Sequence, residues 1–123
     1  MVELGVNVAI GTDYSYTFDI EFELGMPLRE MQLMESGGMT PMQIIVAGTR
    51  NSAHVCGLGH ELGTIEKGKI ADLIMVDGDP LQDLAVLKNH LVMVVHDGVV
   101  IRDDRSYVQI ARRGSGRRVS GSR

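Results

Sequence analysis

The chain has 123 residues, of which 44% are hydrophobic and 23% charged, and its formal net charge is −4 with the histidines neutral. This composition excludes a disordered chain and suits one modest globular domain. The charge gives no reason to expect nucleic acid or an anionic membrane as a partner, and no apolar stretch is long enough to span a bilayer. No secretory signal is visible at Met1, so we expect a cytoplasmic protein unless a preceding region carried a signal.

An apolar run near the N-terminus predicts a buried β-strand from Val6 to Ile10. Gly11 and Thr12 end this run, and Asp13 follows them directly. In a barrel of alternating strands and helices, the chemistry is done at the C-terminal ends of the strands. Asp13 is therefore a candidate site residue, although taken alone it could also be a loop carboxylate that caps a backbone turn.

Two helices are predicted after a long polar loop. The first follows Pro27, keeps an apolar face at the helical spacing and ends at Gly37-Gly38. The second starts at Thr40-Pro41-Met42-Gln43, which has the spacing of a capping box with proline at the first helical position. It continues toward Gly57, and Gly48 within it suggests that another element packs closely there.

Methionines are concentrated in this helical region, and two interpretations of them stay open. They could form an ordinary helix core, or they could adapt the helices to a surface that this chain does not contain. The methionines concerned are Met26, Met31, Met34, Met39 and Met42.

The second half of the chain is rich in glycine and predicts short strands. Strands are expected at 70–76, 91–95 and 99–101, with a possible short helix at 83–87, and Asp97-Gly98 is a strong signal for a tight hairpin. We therefore divide the chain near Gly57. Residues 58–102 form the hairpin-containing segment, and residues 103–123 form a basic tail that is expected to be disordered.

Several residues that could carry chemistry are interpreted as structural. The single cysteine, Cys56, excludes an intrachain disulfide and is expected to be a small buried side chain. The basic pair around Gly68 lacks the spacing of a phosphate-binding loop. Asp72 is expected to bind backbone in a turn or bulge. The same structural interpretation applies to Asp77 and Asp79 and, as surface or hydrogen-bonded residues, to His54, His60, His90 and His96.

The motifs together resemble the C-terminal region of the metal-dependent amidohydrolase superfamily. The run from Glu61 to Ile74 resembles its signature, and Asp77-Gly78-Asp79-Pro80-Leu81 follows in the expected order. Gly11-Thr12-Asp13, the two helices with Thr49-Arg50-Asn51-Ser52-Ala53, and the Asp97-Gly98 hairpin match further parts of it. The helix pair is most similar to imidazolonepropionase-related enzymes and Xaa-Pro dipeptidases.

The resemblance implies an α/β fold. Residues 1–57 would supply the last strand and helices of a (β/α)8 TIM barrel, and residues 58–102 would supply C-terminal strands of a small β-sandwich. It also implies one or two divalent metals, usually zinc, and hydrolysis of an amide, cyclic amide or dipeptide C–N bond. In this family the Asp after the last strand binds metal and accepts a proton from the metal-activated water, and Asp13 is the matching position.

The other metal ligands of the family have no counterpart here, because no two of the four histidines form a His-x-His pair. The chain is therefore interpreted as a C-terminal fragment that is inactive alone and that could bind no metal by itself. We expect it to associate with itself or with the missing N-terminal part of the barrel. The alternative is a non-catalytic binding or assembly module derived from the same fold.

Overall fold

Helices occupy the first half of the described chain, and an antiparallel sheet occupies the second half. The structure is a computed structural model, and it describes residues 5–12 and 25–106. The elements in chain order are α1 (Leu28–Ser36), α2 (Pro41–Val46), a π-helical turn (Ala47–Asn51), α3 (Ser52–Val55), β1 (Leu73–Val76), α4 (Val86–Asn89), β2 (Leu91–His96) and β3 (Val99–Asp103).

Both predicted helices are confirmed. α1 starts directly after Pro27, and Gly37 is its C-terminal cap. At the start of α2 the Gln43 backbone N–H donates to Thr40 Oγ1 at 3.3 Å, and the Thr40 backbone N–H donates to Gln43 Oε1 at 2.8 Å. This is the predicted capping box, which satisfies backbone donors that the first helical turn leaves unpaired.

The predicted strand at Val6–Ile10 is not observed. Residues 6–12 have no regular secondary structure, and Val6 is 50% exposed. A strand needs at least one neighbouring strand for its backbone hydrogen bonds, and in a closed barrel it has two. Within the part of the chain that the structure describes, the one sheet has the order β1-β2-β3, and this segment is not in it. An apolar sequence alone does not form a strand without backbone hydrogen bonds to a neighbouring strand.

One apolar core joins the helices to the second half of the chain. Met31 and Ile44 are buried together with Leu84 and Leu87, which lie between β1 and β2. Met26, Met34 and Met39 are half-buried against this cluster, whereas Met42 is 52% exposed. The interpretation of the methionines as helix core thus holds for Met31 and, in part, for the three half-buried methionines. It does not hold for Met42.

The sheet is a meander with an irregularity in each pairing. β1 pairs with β2 and β2 with β3, both antiparallel, and the register shifts at Met75/Val76 and at Val94/Val95. β1 starts later than predicted because the backbone before it is bonded elsewhere: the Ile70 N–H donates to Glu61 O, and the Asp72 N–H donates to Ile70 O. The turn of the β2–β3 hairpin at Asp97-Gly98 is confirmed, and Asp97 has a positive φ of 48°.

Cys56 is exposed, so its predicted burial is wrong. It lies at the C-terminal cap of α3.

In residues 5–12 and 25–106 no helix combines the length and the apolar character that a membrane span requires. The predicted tail lies outside the described residues from position 107 onward, and β3 extends to Asp103.

Candidate functional site

The segment that precedes Asp13 is attached to the helical stretch 41–55 by a long-range hydrogen bond. We call residues 5–12 the strand-end segment. The Asn51 side-chain amide donates from Nδ2 to the backbone oxygen of Val8 at 2.8 Å, and this bond is half-buried. The side chain of Ile10, two residues further on, packs against the apolar core. One polar and one apolar contact therefore hold the segment on the helices.

The π-helical turn places two of its residues, Gly48 and Asn51, against the strand-end segment. The Ser52 hydroxyl donates to Ala47 O at 2.7 Å, five residues back along the chain. At Gly48 an added Cβ would lie 2.9 Å from Ile10 Cδ1, which is closer than side chains normally approach. The close packing expected at Gly48 is confirmed, and Ile10 is its partner. π-helical turns are rare and are frequently found at functional sites.

Asp13, the predicted catalytic and metal-binding residue, lies outside the described residues. Thr12, the last described residue before it, is half-buried. The structure thus describes the chain up to the residue before Asp13. The roles assigned to Asp13 stay predictions.

A shallow cleft lies between the strand-end segment and α2. Its volume is about 280 Å³, and Asn51 is among its polar residues. Its apolar lining consists of Val6, Val8, Met39, Met42 and Val46. An apolar cleft beside a segment that has no strand partner among residues 5–12 and 25–106 is a surface suited to contact with further protein.

A half-buried ammonium group organises the loop between α3 and β1. The Lys69 side chain is 14% exposed, and its Nζ donates to Gly59 O at 2.9 Å, to Leu62 O at 3.3 Å and to the Thr64 hydroxyl. The same Thr64 hydroxyl donates to Glu66 Oε1 at 2.7 Å. This bond, with the nearby Lys69 charge, holds the pKa of Glu66 below its ordinary value. Lys69 is therefore structural, as expected, because its donors are used by the loop itself.

Gly63 brings this loop into direct contact with the π-helical turn and α3. An added Cβ at Gly63 would lie 2.7 Å from Ala53 Cβ, 2.9 Å from Arg50 Cα and 3.0 Å from Thr49 O. Its φ is +88°, a conformation that glycine adopts without the steric cost of a Cβ. The loop thus packs on the same helical turns that carry Asn51.

Asp72 binds the hairpin turn, as expected. Its Oδ1 accepts the Asp97 backbone N–H at 2.7 Å and lies 3.1 Å from His96 Nδ1. The Gly98 N–H donates to the oxygen of the preceding residue, Ala71, at 3.1 Å. The backbone bond from Asp97 is the main cause that lowers the pKa of Asp72, and His96 adds to it.

This lowered pKa predicts acid sensitivity of the hairpin turn. Because the Asp72 pKa is lower in the folded chain than in the unfolded chain, the stabilisation is present above the unfolded value and is lost as the pH falls through the folded value. We expect the titration of Asp72, followed by the NMR shift of its carboxyl carbon, to have its midpoint below the ordinary pKa range of Asp. Most of this lowering of the Asp72 pKa should remain in His96→Ala, because the Asp97 bond is the larger cause. A titration midpoint of Asp72 within the ordinary range would contradict this assignment.

The comparisons with known proteins decide the family. A sequence model described as "Amidohydrolase family" matches residues 1–101. The chain belongs to the amidohydrolase family. An imidazolonepropionase from Geobacillus sp. (strain WCH70) is 31% identical over 119 residues, which cover 91% of this chain and 25% of that protein.

Solved structures agree with the amidohydrolase assignment. A candidate prolidase from Bifidobacterium longum superposes with a TM-score of 0.68 at 29% identity, over 93% of this chain and 28% of that one. A Xaa-Pro dipeptidase with methionine bound in its active site gives a TM-score of 0.57 at 36% identity, over 60% of this chain and 18% of that one. The chain thus spans about a quarter of the length of the curated relatives it matches.

The amidohydrolase superfamily is generally metal-dependent, and the described part of the chain holds several acidic and histidine residues. Among residues 5–12 and 25–106, no group of three or more His, Cys, Asp and Glu side chains could hold a metal ion. His96 lies against Asp72, His90 Nδ1 lies 3.0 Å from Asp77 O, and His60 Nε2 lies 3.2 Å from Glu61 Oε1. A catalytic zinc takes about three protein ligands, so the described residues do not fit a complete metal centre.

Asn51 is the residue whose structural role the sequence analysis missed. It lies in the run Thr49–Ala53, which contributed to the family resemblance, but its partner Val8 is 43 positions away. A signal was available in Gly48, three residues earlier, because its missing side chain indicated a closely packed neighbour on the same helical face.

Proposed function

We propose that this chain is the C-terminal part of a metal-dependent hydrolase that cleaves C–N bonds. The amidohydrolase match over residues 1–101 is the observation that carries this proposal. Residues 1–57 would supply the last strand and the helices of a (β/α)8 barrel, and residues 58–102 would supply strands of a small β-sandwich. The substrates in view are amides, cyclic amides and dipeptides, in keeping with relatives named imidazolonepropionase and Xaa-Pro dipeptidase.

Asp13 is the residue that we propose for the chemistry. It would be one ligand of a divalent metal, with zinc the first choice, and the other ligands would come from chain beyond these 123 residues. Its carboxylate would accept a proton from the attacking water and return it to the leaving nitrogen. General acid–base catalysis of this kind contributes roughly 10²–10⁴-fold in rate.

The exposed apolar surface supports the proposal that more protein packs here. On the sheet, Ile74 is 45% exposed, Met75 49% and Ile101 63%. Beside α2, the cleft next to the strand-end segment is lined mostly by apolar side chains. Ile74 and Met75 are consecutive residues of β1 and lie on opposite faces of the sheet, so apolar side chains are exposed on both faces. The missing barrel would cover these surfaces, and the chain alone would cover them by self-association.

The experiment compares two proteins: the 123-residue chain, and the complete hydrolase, meaning the reading frame that encodes this chain together with its upstream coding sequence. Both are assayed with zinc or manganese on a cyclic amide and on Xaa-Pro dipeptides, and sedimentation is measured on the same samples. We expect turnover by the complete hydrolase and none by the chain alone, which should sediment as a self-associated species.

Metal-dependent turnover by the 123-residue chain would contradict the proposal that it is inactive alone. A complete reading frame that folds but hydrolyses neither substrate class would instead favour the alternative, a non-catalytic binding or assembly module.

A further inference from the structure

The side chain of Asn51 has a different kind of partner from those of its helical neighbours. Thr49 Oγ1 donates to Ile45 O at 2.7 Å, and Ser52 Oγ donates to Ala47 O at 2.7 Å, so both hydroxyls bind the helix on which they lie. The Asn51 amide instead donates to Val8 O, 43 residues away. Its hydrogen bond therefore connects two parts of the chain, whereas theirs are local.

A bond to one backbone oxygen can define where a segment without secondary structure lies on the helices. The strand-end segment has no strand partner among the described residues, so no ladder sets its register. A slip of one residue would bring a different carbonyl group to the Asn51 amide. The bond to Val8 O opposes such a slip because it selects one carbonyl group.

A second contact supports the same register. Gly48 lies three positions before Asn51 and leaves room for Ile10, two positions after Val8, with Cδ1 2.9 Å from where a Cβ would be. The π-helical turn that contains Gly48 and Asn51 thus presents both to the segment. The two contacts lie two residues apart on the segment, so a slip of the segment along the helices would break both.

We propose that Asn51 is a positioning residue for Asp13, acting through the backbone of the strand-end segment. Asp13 follows Ile10 by three residues and Val8 by five. When the Asn51 bond is lost, residues 8–12 can shift on the helices, and with them the point from which the chain continues into Asp13. A displacement of about 1 Å at a reacting group can cost roughly 10²-fold in rate. This inference rests on the proposed function of Asp13.

The first test uses the complete hydrolase and two changes of Asn51. Asn51→Ala removes the side-chain amide, and Asn51→Asp keeps its size but has no donor for Val8 O at neutral pH. We expect both to lower kcat by about 10- to 100-fold and to change KM by less than about twofold, because substrate contacts stay while the reacting group moves. Ser52→Ala is the matched control, since it removes a bond within the same helix, and its kcat should stay within about twofold of the unchanged protein.

The second test needs no activity. In the 123-residue chain, the backbone amide NMR signals of Gly11 and Thr12 should move in Asn51→Ala and should stay in place in Ser52→Ala. Unchanged signals of Gly11 and Thr12 would overturn the proposal. So would an Asn51→Asp enzyme with unreduced kcat, or an Asn51→Ala enzyme that matches Ser52→Ala.

The two proposals can fail separately. If Asp13→Asn leaves kcat unchanged, the proposed function of Asp13 fails, and the positioning role of Asn51 fails with it even if the NMR signals move. If Asp13→Asn is inactive while Asn51→Ala matches Ser52→Ala, only the inference about Asn51 fails.

Discussion

Asp13→Asn is expected to lower kcat of the complete hydrolase by about 10²–10⁴-fold, which is the contribution of a positioned general acid or base. The amide has nearly the same size as the carboxylate, but it cannot accept a proton from the attacking water. Any metal contact made by the carboxylate would also be weakened. The measurement is kcat at saturating substrate and metal, with the folded fraction followed by circular dichroism.

Asp72→Asn provides the control for this substitution. It also replaces an aspartate by its amide, but Asp72 binds the hairpin turn through Oδ1, and the amide oxygen can still accept the Asp97 N–H. Its kcat should therefore stay close to that of the unchanged enzyme. If Asp13→Asn kept more than about a tenth of kcat, proton transfer at this position would be ruled out as the main contribution of Asp13.

Gly63→Ala is expected to be among the most destabilising small changes in this chain. The new Cβ would lie 2.7 Å from Ala53 Cβ and 2.9 Å from Arg50 Cα, and neither atom is the free end of a flexible side chain. The positive φ adds about 1–2 kcal/mol, and overpacking of this kind typically adds about 1–3 kcal/mol. We expect a loss of about 2–5 kcal/mol in the free energy of unfolding, measured by urea denaturation of the 123-residue chain.

Gly68→Ala separates the two causes of this loss. Gly68 lies in the same loop with a φ of +94°, but nothing lies within 4 Å of its added Cβ. It should lose only the conformational part, about 1–2 kcal/mol. The difference between the two variants then measures the packing of the loop on the helices. Equal losses would show that the loop can move away from Ala53 and Arg50 without a cost in free energy, and the predicted overpacking at Gly63 would be wrong.

Local chemistry explains the elements that could be predicted from the sequence. The α2 start was predictable because Thr40, Pro41 and Gln43 form a cap from residues within one turn of each other. The β2–β3 turn was predictable because Asp97-Gly98 suits the left-handed backbone of a two-residue hairpin. The role of Asp72 followed from the same reasoning, since a short carboxylate beside a turn often binds backbone N–H groups.

Elements that depend on distant partners were less predictable. β1 was expected from Ile70, but the bond from the Ile70 N–H to Glu61 O delays its start to Leu73. Cys56 was expected to be buried because its neighbours are apolar, yet its position at the end of α3 leaves it exposed. Neither the bond to Glu61 nor the exposure of the α3 end can be seen in the local pattern of apolar residues.

The family, the capped helix and the hairpin follow from the sequence, because each depends on residues close together in the chain or on a motif in fixed order. Asp13 is a candidate site residue on the same ground. The absence of a strand at Val6–Ile10 follows only from the fold, since pairing requires neighbours beyond this segment. The contacts of Asn51 and Gly48 with this segment are likewise seen only in the fold. Those contacts cross about 40 residues of chain, and no local preference specifies which distant carbonyl or side chain an amide or a glycine will meet.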